Sequence, residues 1–155
     1  MLYLSITNWI EVIGLFIFLS GFVVGLGAVT VIDIHGFLGR TSPYWTEATA
    51  RTHKVTKPMI WIGIFLTILG GSILYRGEIF RGIALTHSVV AFVLIINGLF
   101  LSFKVSPFIL KKEKEGKARE LLPASWQRKI MISLIISDIG WWGGLFLLVI
   151  YLVNN

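Results

Sequence analysis

Residues 9–31, WIEVIGLFIFLSGFVVGLGAVTV, hold one charged side chain, Glu11, in 23 positions. A hydrocarbon core of about 30 Å is crossed by ~20 apolar residues at 1.5 Å each. Three more stretches meet or approach that length: about 58–75, 83–103 and 130–153. Basic residues alternate between the loops that join them. Arg40, Arg51, Lys54 and Lys57 follow the first stretch, and Lys104, Lys111, Lys112, Lys114, Lys117, Arg119, Arg128 and Lys129 lie around the third loop. Only Arg76 and Arg81 lie between the second and third stretches. Retention of Lys and Arg on the cytoplasmic side predicts four spans with both termini outside. The fold class expected is all-α integral membrane: one four-transmembrane-helix, up-down bundle over residues 1–155, in a prokaryotic cytoplasmic membrane.

Composition agrees. Of 155 residues, 55% are hydrophobic and 14% charged, against roughly a quarter charged in a soluble domain. The net charge of +6 belongs to the cytoplasmic loops, where it attracts anionic lipid headgroups. No nucleic-acid-binding motif accompanies it, so nucleic acid is not an expected partner. Cysteine is absent, which excludes disulfides, thiol catalysis and thiolate metal sites. The start MLYLSITNW lacks a basic n-region and a small-residue cleavage site, so the first span reads as retained.

Trp9, Tyr75 and Tyr151 fall at the expected outer boundary, and Trp45, Trp61 and Trp126 near the inner one, as aromatic belts require. Trp141 and Trp142 fit neither belt. Between the first two spans, Gly36, Gly39 and Ser42-Pro43 read as helix breakers, with Thr46 capping a short amphipathic segment. RGEIFRG reads as a hairpin connection, and the third loop holds a helical turn before Pro123, with Ser125 capping the fourth span. Gly14, Gly21, Gly25 and Ala28 form one stripe on the first span, with Glu11 above it and His35 below. Gly63, Thr67 and Gly70, then Ser133, Ser137, Gly140 and Gly144, repeat the pattern on the second and fourth. Such stripes let helix backbones approach closely.

Ionisable groups inside a bilayer need a partner or a task. At 1.5 Å per residue His87 lies ~6 Å inside the outer edge, Glu11 ~3 Å inside it, and Asp138 ~12 Å from the inner edge. His87 is the first candidate, as a metal ligand to heme iron, a cofactor contact or a proton relay; the structural alternative is a histidine bonded to Glu11 or to backbone. Asp138 is the candidate for proton handling, with Glu11 second. The structural alternative has Trp141 or Trp142, at i+3 and i+4, donating an indole N–H to Asp138. Asn97, His35, His53 and Lys57 complete the candidate cofactor-binding set. Asp33, His35, Glu47 and His53 have metal-ligand chemistry without ligand spacing, and read as a solvated loop. Arg51, Lys54 and Lys57 suit lipid phosphates or a ligand's carboxylates. His35 and His87 belong to opposite faces, which excludes them as two axial ligands of one heme within a subunit.

Three segments carry a family resemblance: residues 25–40, GLGAVTVIDIHGFLGR; residues 52–75, THKVTKPMIWIGIFLTILGGSILY; and residues 125–135, SWQRKIMISLI. Their order resembles the HemJ-type protoporphyrinogen oxidases and their CopD-like relatives, small four-helix membrane proteins. The resemblance implies heme b as cofactor and oxidation of a porphyrinogen in the membrane. That group carries a histidine near the outer start of the first span, where this chain has Asn8-Trp9-Ile10-Glu11. The leading expectation is a heme- or porphyrin-linked redox role. Its rival is a non-enzymatic membrane subunit or scaffold, as a homo-oligomer or within a larger membrane complex. A small transporter stands third, resting on Asp138 and Asn97 alone.

Overall fold

The computed structural model describes residues 8–76 and 81–154. Five helices follow one another: α1 (Trp9–Leu38), α2 (Pro43–Leu74), α3 (Gly82–Phe100), α4 (Ser106–Lys114) and α5 (Ala124–Asn154). A π turn at Leu101–Val105 joins α3 to α4, so that Gly82–Lys114 forms one rod. The four rods are each long and apolar enough to cross a membrane, and they alternate in direction as an up-down bundle. The described residues include no strand. Gly77–Phe80, the middle of the expected hairpin connection, and the N-terminal Met1–Thr7 lie outside the described residues.

Each rod outruns the apolar stretch that marks it. At 30–33 residues they measure roughly 45–50 Å, well over the hydrocarbon thickness. The excess lies at the end that carries the basic residues, because hydropathy marks only the part of a helix that meets lipid. The first loop is corrected accordingly. Only residues 39–42 interrupt the helices, and Gly36 lies inside α1. Pro43 starts α2 at a position where its missing N–H costs nothing, and the Ser42 hydroxyl accepts from the Trp45 amide at 3.5 Å. Thr46 does not cap; its hydroxyl donates back to the Gly39 carbonyl at 2.7 Å and pins the turn. Ser125 likewise lies within the first turn of α5, where the Pro123 carbonyl receives the Trp126 and Gln127 amides. The expected turn in the third loop is realised as α4, closed by Gly116 at φ +74°, a left-handed conformation that glycine adopts without strain.

The small-residue stripes of α1 and α2 pack against each other, and Gly25 also makes room for Trp141 of α5. A Cβ at Gly21 would sit 2.6 Å from the Thr67 amide nitrogen, and one at Gly63 would collide with the Gly25 backbone. α3 and α5 form the other close pair, where a Cβ at Gly140 would meet Leu94 at 2.6 Å. Phe18, Phe22, Trp141 and Leu148 fill the space between the two pairs. Phe16, Val23, Phe65, Phe92, Ile139 and Phe146 face outward, as expected of a surface solvated by lipid chains.

Two aromatic assignments change. Tyr75 is not a boundary anchor: it turns inward and is 5% exposed. Trp141 and Trp142 do not clamp Asp138, and no hydrogen bond among the described residues joins them to it. Trp141 is 1% exposed and packs edge-on to Phe22 at 5.9 Å, while Trp142 faces outward.

Candidate functional site

Two interior sites occupy opposite halves of the bundle. The first is a groove of about 350 Å³ between α2, α3 and α5, in the half away from the basic end. Phe18, Phe22, Ile95 and Trp141 supply apolar walls, and Tyr75 and His87 supply a polar pair. His87 Nε2 lies 2.8 Å from the Gly144 carbonyl, which can only accept, so Nε2 carries the proton. Nδ1 then holds the lone pair and accepts from the Tyr75 hydroxyl at 3.0 Å. The ring is further held by Tyr75, stacked at 5.5 Å, and by the edge of Phe18 at 5.4 Å.

The second is a cavity of about 70 Å³ toward the basic end, enclosed by all four rods. Asp33 of α1, His53 and Lys57 of α2, and Ser137 of α5 line it. Asp33 is 8% exposed, yet its Oδ2 has no hydrogen-bond partner; the buried Nε2 of His53 has none either. An unsatisfied buried polar atom costs roughly 1–3 kcal/mol, so two on one small cavity point to something within it. Asp138, on α5, is the like charge that acts on Asp33.

Local sequence builds this second site. Pro107 has no N–H, and in the π register its amide would have been the one to reach the Ser102 carbonyl. The Lys57 amine approaches that orphaned carbonyl instead, at 3.5 Å. The Trp61 indole donates to the Ser102 hydroxyl at 3.1 Å, which fixes α2 against the π turn. On the opposite side Asn97 and Ser133 bond reciprocally: the amide donates to the Ser133 carbonyl at 3.0 Å and receives the Ser133 hydroxyl at 2.6 Å.

The candidate residues read from sequence thus divide. His53, Lys57 and Asn97 share the inner cavity, with Asn97 tied to Ser133. His87 lines the outer groove. Glu11 is 57% exposed at the far end of α1, bonded by Asn8 at 2.9 Å and 3.7 Å from Arg76. It does not reach His87, whose partners are Tyr75 and Gly144. His35 bonds Thr52 at 3.1 Å and leans on Trp45, outside both sites. The solvated-loop reading of Asp33 and His53 is overturned: both lie on helices and face the interior. Among the described residues no three His, Asp or Glu side chains converge as a metal site.

Asp33 carried a signal in the sequence. Gly21, Gly25, Val29 and Asp33 are spaced by four, so Asp33 extends the packed face of α1. The Tyr75–His87 pairing had none, because it forms across a connection between two rods.

This arrangement defines a class: a multi-pass helical membrane protein with a lipid-side groove at one end of its interior and a small polar cavity at the other. Comparison of the chain with family models, curated proteins and solved structures gives no match.

Proposed function

We propose that the protein takes a flat, lipid-soluble ring compound of the porphyrin or quinone class into its outer groove and serves the redox chemistry of that compound. The observation that carries this reading is an apolar groove of about 350 Å³ lined by the hydrogen-bonded pair of His87 and Tyr75. Sites for small organic ligands have this character, with apolar walls and a few convergent polar groups. The Tyr75–His87 pair can exchange a proton with a ring nitrogen or carbonyl placed against it.

Heme b as an iron ligated by His87 fits this geometry poorly. Nε2 is committed as a donor to Gly144, and iron at Nδ1 must displace the Tyr75 hydroxyl. The glycine stripes of α1 and α2 are used within the molecule, so they supply no docking face for the scaffold alternative. The twelve basic residues at one end support an orientation with that end cytoplasmic and both termini outside, in a prokaryotic cytoplasmic membrane against anionic headgroups.

The test is purification in mild detergent, absorbance of the protein and chromatography of its organic extract. A co-purifying ring compound, near stoichiometric in wild type and depleted in His87→Gln, is expected. Equal content in both proteins, or none in either, overturns the reading.

A further inference from the structure

The inner cavity has a chemistry of its own, on residues separate from the groove. We propose that Asp33 and His53 bracket an internal water site, open toward the basic end only, through which a proton passes between the two side chains.

The two unpartnered atoms come from different helices and line one space, Asp33 Oδ2 from α1 and His53 Nε2 from α2. Neither can satisfy the other's remaining needs without something between them. The space is about 70 Å³, and a water needs roughly 10–15 Å³ of such volume together with two to four polar partners. A few waters therefore fit. Lys57, Ser102 and Ser137 line the same cavity and supply further polar groups.

The site also has an entrance. A second cavity, of about 50 Å³, lies among the loops of the basic end and is lined by Arg40, Lys112, Glu120 and Gln127. Both cavities have Gly36, Thr49, Ile109 and Ile130 in their walls, so they adjoin. In the other direction the two residues shared with the outer groove are the bulky, buried Leu94 and Trp141, where the entrance side has Gly36 and Thr49.

The chemistry balances without a redox partner. A proton leaves the Asp33 carboxyl through one or two waters and arrives at His53 Nε2, turning a neutral pair into carboxylate and imidazolium. The reverse step restores it. The charged and titratable groups facing Asp33 are His53 and Lys57 from α2 and Asp138 from α5, while α3 contributes the neutral Asn97. Burial disfavours charge on either side chain, so the neutral pair is the resting form and the carboxylate–imidazolium pair its transient partner.

The experiment uses full-length protein in lipid vesicles. Infrared difference spectra between two pH values, in light and heavy water, are recorded for wild type, Asp33→Asn, His53→Gln and the surface control Glu47→Gln. The proposal expects a carboxyl band that is lost in Asp33→Asn, displaced in His53→Gln and unchanged in Glu47→Gln. Asparagine is isosteric with aspartate, and helical circular dichroism checks that each variant is folded. Superimposable wild-type and Asp33→Asn spectra overturn the site, and a band unmoved by His53→Gln overturns the coupling. An entrapped pH dye tests the closed end: no proton conductance above that of empty vesicles is expected, and a conductance removed by Asp33→Asn overturns one-sided access.

Discussion

The indole of Trp141 on α5 occupies the room that Gly25 on α1 leaves by having no side chain. A Cβ at Gly25 would fall on the outer edge of that ring, while the same residue lines both the inner cavity and the outer groove. A packing residue and a wall of both spaces are here one side chain. Gly25→Ala is expected to destabilise the protein by about 1–3 kcal/mol, the usual cost of overpacking. Gly27→Ala, whose added carbon meets nothing within 4 Å, is the control and should stay within ~0.5 kcal/mol. Reversible unfolding in mixed detergent micelles measures both, and equal effects would refute the close-packing account.

Tyr75→Phe removes the hydroxyl that donates to His87 Nδ1 and leaves the ring stacking in place. A loss of about 0.5–1.5 kcal/mol is expected from the missing hydrogen bond. In a His87→Phe background the same substitution should cost almost nothing, because its acceptor has gone. Additive losses across that double-mutant cycle would show that the two residues are not coupled.

Asn97 and Ser133 form a polar tie between α3 and α5, apart from the one that His87 makes to Gly144. Interhelical hydrogen bonds inside membranes average about 0.6 kcal/mol and reach about 1.7. Asn97→Ala is expected near the upper figure, since it also strips the Ser133 hydroxyl of its acceptor. Ser133→Ala should cost less, and thermal unfolding of the pair ranks them.

Lys57 and Pro107 are linked through the Ser102 carbonyl, which Pro107 leaves without a backbone donor and the Lys57 amine approaches. Lys57→Met should destabilise by about 1 kcal/mol by orphaning that oxygen. Pro107→Ala restores a backbone N–H within reach of the same turn, and in the Lys57→Met protein it should recover part of the loss. A second substitution that adds further damage would rule out the orphaned carbonyl as the cause.

Orientation follows from charge. Fusion of alkaline phosphatase to the C-terminus is expected to give an active enzyme, and fusion of a fluorescent protein that folds only in the cytoplasm a dark one. Substituting the basic residues of the third loop by glutamine should weaken that bias, because loop Lys and Arg set it.

Much of the frame was legible in the chain. Four apolar stretches, the placement of Lys and Arg, and stripes of small residues at helical spacing gave the bundle and its packing faces. What the chain left open was where helices end outside lipid. Asp33 and His53 looked like loop residues because their neighbours are polar and glycine-containing, yet α1 and α2 run on past the apolar stretches and carry both side chains inward. Trp141 looked like a partner for Asp138 by spacing alone, but i+3 contact requires both side chains to lean the same way, and Trp141 leans into the gap at Gly25.

By itself the sequence determined the number of crossings and the asymmetry of charge between the two faces, since both depend on how single residues partition between water and lipid. Only the tertiary structure decided which polar groups meet. The Tyr75–His87 bond, the Asp33–His53 cavity and the Lys57 contact with the π turn each join separate helices. Their formation depends on the rotation and depth at which those helices pack, which no stretch of one helix encodes alone.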